Sequence, residues 1–224
     1  MTDSPVEQFS DTSADPAVRG FLHRPSGALQ DGLVLTHGAG GNCRGPFLTA
    51  LAERFAEGGV AVLRCDLPFR QARSFGPPRP GDAARDRDGL RNAVSSLRAL
   101  VSGRIFLGGQ SYGGRQASML CADEPGLVDG LLLLSYPLHA PGRPDQLRTQ
   151  HLPKLKLPVL VVQGTKDPFG SIEEIKSALR LIPGRAALLP VEGEGHDLGF
   201  RGKKRNGELP GMVIGEFRKM FGFG

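Results

Sequence analysis

Short runs of unbroken apolar residues alternate along the chain with longer stretches in which apolar positions recur every three or four residues. Six runs carry the first pattern: 32–38 (GLVLTHG), 60–66 (VAVLRCD), 104–110 (RIFLGGQ), 130–136 (GLLLLSY), 158–164 (PVLVVQG) and 185–190 (RAALLP). Turn residues bound each of them. A strand apolar at every position is buried on both faces, as in a largely parallel sheet. Between these runs, residues 83–101 place Ala83, Ala84, Leu90, Ala93, Val94, Leu97, Leu100 and Val101 at helical spacing, with arginine and aspartate on the other face. A second helix is predicted from Pro46, at a first helical position, to the stop at Gly58 and Gly59. A third opens on Ser171 with Glu174 three residues later, a capping box. Strand and helix in alternation predict a three-layer α/β/α sandwich with a mostly parallel sheet and right-handed crossovers. The two long loops, 74–82 and 138–156, are expected at the rim of that sheet, where a substrate site is shaped.

A length of 224 residues suits one core, so a single domain over 1–224 is expected, with about the first 15 residues flexible. Those residues are polar, with neither a basic start nor an apolar segment, and do not read as a secretory signal; a cytoplasmic protein is expected. The longest apolar run, around 131–138, is far short of the ~20 residues that span a bilayer. Three scattered cysteines, Cys43, Cys65 and Cys121, make neither a disulfide framework nor a zinc site, so no metal or organic cofactor is expected. The net charge is +5, much of it arginine. Charge speaks to partners and not to fold: the plain reading is a solvated surface, and the sharper ones are an anionic substrate or nucleic acid.

The chemistry concentrates in 106–116, FLGGQSYGGRQ, where Ser111 sits between a predicted strand and a predicted helix in the pattern Gly109-x-Ser111-x-Gly113. So tight a turn strains the backbone and brings neighbouring segments so close that side chains two residues away would clash. It also holds the hydroxyl clear at the carboxyl edge of the sheet, with the Tyr112 amide at the helix start aimed where an oxyanion would form. A serine hydroxyl needs a base, and the base needs an acid to fix its tautomer. Asp167 lies in the loop after strand 158–164 and His196 in the loop after strand 185–190, so all three stand at strand carboxyl ends, in the order Ser, Asp, His. Asp66 also follows a strand and is the competing acid; Asp197 cannot readily turn back onto its neighbour's ring. His139 and His151 lie in the 138–156 loop without a strand-end acid, and read as surface or pocket-lining residues. His23 is expected near an early edge strand.

A second glycine-rich turn, LTHGAGGN at 35–42, fails as a phosphate loop: Cys43 stands where a dinucleotide fingerprint needs Gly or Ala, and Pro46 where a P-loop needs lysine. It fits instead the loop that supplies the second amide of an oxyanion hole, assigned to Ala39 with Gly40 the runner-up, His37 orienting the loop.

Taken together, HGAGG, GQSYGG, GTKDPFG and GEGHDL resemble the α/β-hydrolase superfamily, in the small lidless branch similar to dienelactone hydrolase. Residues 131–171 look more narrowly like a branch of predicted hydrolases that includes a subunit of a eukaryotic chromatin-modifying complex. The resemblance runs from about residue 33 to residue 200. It implies an α/β-hydrolase fold, a triad of Ser111, Asp167 and His196, and an oxyanion hole of Ala39 and Tyr112. Dienelactone hydrolase itself carries cysteine at the elbow where this chain has serine.

The expected function is hydrolysis of small esters or amides through an acyl-enzyme, with a small-molecule substrate and no membrane partner. The arginine-rich segment 64–79, with Arg70 and Arg73, begins at a strand's carboxyl end and is expected to line the site and favour anionic substrates; His37, Gly40 and His139 complete the expected lining. The competing function is a non-catalytic interaction domain that keeps the fold. Nucleic-acid binding through RGKKR at 201–205 is weakly supported, since a short basic run without aromatics is usually a solvated loop.

Overall fold

The computed structural model describes residues 6–202 and 205–222. All six apolar runs are strands: β3 (Asp31–Thr36), β4 (Val60–Cys65), β5 (Ile105–Gln110), β6 (Gly130–Leu134), β7 (Val159–Gly164) and β8 (Ala186–Val191). They pair in parallel in the order β4-β3-β5-β6-β7-β8. Two earlier strands, β1 (Val6–Asp11) and β2 (Val18–His23), extend the sheet antiparallel at the β4 edge, giving eight strands in all. His23 thus ends a strand next to the edge.

Within the stretch expected to be flexible, residues 6–11 form β1; residues 1–5 lie outside the described residues. β1 is held by its backbone ladder, Val6 opposite His23 through Asp11 opposite Val18, and by the Ser96 hydroxyl donating to Asp11 Oδ2 at 2.6 Å. Its side chains are mostly exposed, so no apolar run marked it.

Helices cover both faces. On one side α3 (Asp82–Arg98), α4 (Tyr112–Asp123) and α5 (Ile172–Leu179) share a core with the sheet residues Val34, Leu107, Leu131 and Val161. On the other, α1 (Pro46–Glu57) and α6 (Leu209–Phe221) enclose Leu33, Leu35, Phe106, Leu132 and Val162, with Phe55, Phe106, Phe217 and Phe221 packed ring to ring. Successive residues of one strand therefore feed opposite cores, which is why those strands are apolar throughout. A short helix, α2 (Pro68–Ala72), follows β4. The capping box of α5 is present, the Glu174 N–H donating to Ser171 Oγ while the Glu174 carboxylate receives the Ser171 N–H. Among the described residues no helix is long and apolar enough to cross a membrane.

Candidate active site

β5 ends at Gln110, and α4 begins at Tyr112, leaving one residue, Ser111, to turn the chain. Its φ of 49° and ψ of −116° are a conformation that side-chain-bearing residues rarely adopt. Two backbone bonds hold it there: the Ser111 N–H donates to Leu134 O at 2.8 Å, and the Arg115 N–H donates to Ser111 O at 2.9 Å. The glycines are sterically required. A Cβ on Gly109 would lie 2.5 Å from Gly114 N, and one on Gly113 would lie 2.4 Å from His37 O.

His196 Nε2 lies 2.8 Å from Ser111 Oγ, and His196 Nδ1 lies 2.8 Å from Asp167 Oδ2. In the tautomer this demands, the serine hydroxyl donates to Nε2 and the Nδ1–H donates to the carboxylate. Asp167 is buried, yet its carboxylate also receives the Phe169 N–H at 2.9 Å and the Gln163 amide at 2.9 Å. Phe169 stacks on the imidazole, ring centroids 4.2 Å apart, so the ring is fixed by a hydrogen bond at its edge and an aromatic plate on its face. The loop bearing His196 reaches the site because Gly164 lets it pass: a Cβ there would stand 2.4 Å from Glu194 O. Asp197 is turned away, accepting the Gly199 N–H at 3.0 Å. Asp66, the competing acid, accepts the Cys43 N–H at 2.6 Å and stands 3.4 Å from His37.

The 38–41 loop passes over the serine, near enough that a Cβ on Gly38 would be 3.3 Å from Ser111 Cβ. His37 is buried beneath it. The His37 Nδ1–H donates to Gly38 O at 2.8 Å while Nε2 accepts the Leu67 N–H at 3.1 Å, and burial pushes the imidazole's pKa down, keeping it neutral. The Gly41 N–H donates to the same Gly38 oxygen at 3.1 Å. Because the peptide is planar and trans, the Ala39 N–H points opposite to that anchored carbonyl. Ala39, Gly40, Ser111, Tyr112 and His196 all line one open cleft of about 500 Å³. The Tyr112 phenol is directed away, donating to buried Asp86 at 2.7 Å; burial raises the Asp86 carboxyl's pKa.

Three expected lining residues stand elsewhere. Arg70 is buried behind the loop, its guanidinium donating to Ala39 O at 2.9 Å, Gly41 O at 2.8 Å, Gly76 O at 2.9 Å and Arg73 O at 3.2 Å. Arg73 pairs with Asp82 at 2.6 Å. Starting at a strand's carboxyl end put this segment on the correct edge, but α2 turns Arg70 toward backbone carbonyls, and Arg73 just after it is taken up by the Asp82 carboxylate. His139 is buried, its Nδ1–H donating to Ala140 O at 2.8 Å, with Glu174 3.5 Å from its Nε2. Gly40 does line the cleft, and His37 acts from below it. The arginines that line the cleft are Arg115 and Arg148, neither of them among the expected lining residues. Of the basic run 201–205, Lys203 and Lys204 lie outside the described residues.

The cysteines are buried, and burial pushes the Cys43 and Cys121 thiols up to about 12, so neither is a ready nucleophile. Among the described residues no three His, Cys, Asp or Glu side chains converge as metal ligands.

An alpha/beta hydrolase domain model matches residues 30–216. Among solved structures, the chain is similar to a dienelactone hydrolase from Anabaena variabilis, at 21% identity and TM-score 0.74 over 98% of this chain and 97% of that one. It is similar to Est1E from Butyrivibrio proteoclasticus at 19% identity and TM-score 0.74, over 95% of this chain and 97% of that one. A serine hydrolase without a lid from Xanthomonas campestris matches at 19% identity and TM-score 0.70, over 100% and 98% of the two chains. At these identities the likeness is one of fold.

Proposed function

The chain belongs to the alpha/beta hydrolase family, and from that premise we propose that it is a serine hydrolase cleaving small carboxylic esters or amides through an acyl-enzyme on Ser111. The observation that carries the reading is the continuous hydrogen-bonded chain Ser111–His196–Asp167, at 2.8 Å and 2.8 Å, on the floor of an open cleft. Ser111 Oγ attacks the substrate carbonyl as His196 Nε2 takes its proton, and the oxyanion accepts hydrogen bonds from the Ala39 and Tyr112 amides. On collapse, the imidazolium returns that proton to the departing alcohol or amine. Water then attacks the acyl-serine with His196 again as base, releasing the acid and restoring the hydroxyl. Asp167, held by Phe169 and Gln163, keeps the proton on Nδ1 and balances the imidazolium.

A fluorophosphonate probe tests this directly, because its phosphorus acquires the same tetrahedral charge. One covalent adduct on Ser111 is expected, absent in Ser111→Ala and sharply slowed in His196→Ala. Asp167→Asn should stay folded and lose ester turnover by roughly 10³–10⁴-fold, since the imidazole then presents the wrong tautomer. A folded protein that takes up no probe from mildly acid to mildly alkaline pH would replace this reading with that of a non-catalytic interaction domain. Labelling at Ser135 or Ser171 would show a different nucleophile.

A further inference from the structure

Buried arginines in this protein are tied down. Arg64 donates to His23 Nε2, Thr49 Oγ1 and the Cys43 carbonyl, and Arg70 donates to four backbone carbonyls. Arg115 is the contrast. It lines the cleft beside Ser111, its guanidinium has no hydrogen-bond or ion-pair partner among the described residues, and its Nε is buried without any acceptor. The side chain as a whole is half-buried, but its buried Nε–H gives up water for no acceptor unless something enters the cleft to meet the guanidinium.

Its position follows from the helix. Arg115 is four residues after Ser111, about 6 Å further along the α4 axis and on the same face. Helical side chains lean toward the N-terminus, so this guanidinium leans over the turn that holds the serine. Arg148 meets it from the 138–156 loop, on a backbone fixed at both ends: its N–H donates to Leu138 O at 2.8 Å, and its carbonyl accepts the Tyr136 hydroxyl at 2.8 Å. Among the described residues the Arg148 guanidinium makes one hydrogen bond, to Pro137 O at 3.1 Å. Burial and the neighbouring positive charge of Arg115 both push the Arg148 pKa down. Two cations therefore repel one another in one cleft whose lining, among the described residues, includes no carboxylate.

We propose that Arg115 and Arg148 form an oxyacid subsite, and that the molecules acted on at Ser111 carry a carboxylate or phosphate group a short chain away from the scissile carbonyl. Two guanidinium forks suit such a group, which accepts through two or more oxygens at once. The substrate assignment rests on Ser111 being the nucleophile; the binding subsite does not. It also relocates the expected preference for anions from Arg70 and Arg73 to a pair that faces the cleft.

The test compares the mono-4-nitrophenyl ester of glutaric acid with 4-nitrophenyl pentanoate, its uncharged counterpart. The wild type should favour the charged ester in kcat/KM, and that ratio should fall at least tenfold in Arg115→Gln and in Arg148→Gln, mainly through KM. Arg115→Lys should keep part of the preference. Arg54→Gln, which removes an exposed charge on α1, should leave the ratio unchanged and so exclude a general field effect. In parallel, calorimetry on Ser111→Ala should detect glutarate or inorganic phosphate binding that Arg115→Lys weakens and Arg115→Gln abolishes; the tighter of the two identifies the group. A wild type indifferent to the charge, with neither anion bound to Ser111→Ala, overturns the subsite while leaving the hydrolase reading standing. Arginine-dependent anion binding in a protein that hydrolyses neither ester retains the subsite and overturns the hydrolase reading. Should Arg115→Gln fail to fold, the wild-type preference and the Arg115→Lys response decide.

Discussion

Ser111 stands in a backbone conformation that costs on the order of 1–3 kcal/mol, and it persists because its neighbours over-determine it. Its N–H and C=O are both bonded, and Gly109, Gly113 and Gly114 pack backbone on backbone around it. Arg70 performs the corresponding service for the facing loop. By holding the Ala39 and Gly41 carbonyls it fixes the 39–40 and 41–42 peptides, and so the path of the loop just after the Ala39 amide, whose own peptide is anchored through Gly38 O. Arg70→Met keeps the buried stem and removes every donor, so kcat should drop by about ten- to a hundredfold, the scale of a catalytic group displaced by about an ångström, with KM little changed. Arg70→Lys should not restore it, because one ammonium cannot serve carbonyls spread around a planar fork. Steady-state kinetics on the folded fraction decide. If thermal stability falls but kcat of the folded protein does not, Arg70 is a structural residue and nothing more.

At the scale of elements, function depends on how closely loops approach one another at the carboxyl edge of the sheet. Gly164 ends β7, and its missing Cβ is what admits the Glu194–Gly195 backbone and hence His196. Gly164→Ala should push that loop outward, slowing fluorophosphonate labelling more than tenfold while far-UV circular dichroism stays native; labelling at the wild-type rate would mean the loop has slack. The same approach explains what could be read from the chain beforehand. Five strands were legible because a strand buried on two faces is apolar almost throughout, and β8 because its half-buried side chains still pack against both cores; Ser111, Asp167 and His196 were legible because each follows one of these strands. β1 was not, since an exposed edge strand is held by backbone hydrogen bonds that any sequence can make. Gln163 and Phe169 were hidden because nothing in a linear sequence says that a strand's penultimate residue or a loop phenylalanine will support a carboxylate and an imidazole. Arg115 could have been found from its spacing of four after Ser111 on a predicted helix, whereas Arg148 needed the path of a long loop.

For the molecule as a whole, both cores are sealed by apolar packing, and the weak points in acid are histidines with depressed pKa values, one buried and one half-buried. His23, wholly buried on β2, accepts from Arg64 through Nε2 at 2.8 Å, and burial with the Arg64 charge pushes its pKa down to about 4. His151, 2.8 Å from Ser118 Oγ, is pushed down to about 4 by burial and by Arg115. Both start from an ordinary value of 6.5, so between 6.5 and about 4 the unfolded chain takes up protons that the folded chain refuses. Their contribution to stability is therefore fully present above pH 6.5 and is lost as pH falls toward 4. Each can add a slope of up to about 1.4 kcal/mol per pH unit. Asp11 acts in a separate window: hydrogen bonds from Ser13 and Ser96 lower its carboxyl from 3.8 to about 2, so its contribution is lost only in that more acid range. Urea unfolding from neutral pH down to about 4.5 should accordingly show a falling midpoint at nearly constant m-value. In the double variant His23→Gln, His151→Gln, whose amides cannot take up a proton, the wild-type slope should flatten even if the variant is less stable at neutral pH. An unchanged slope in that variant would move the acid sensitivity to His37, whose buried imidazole under the 38–41 loop is likewise pushed down, and would tie the protein's acid limit to the loop over Ser111.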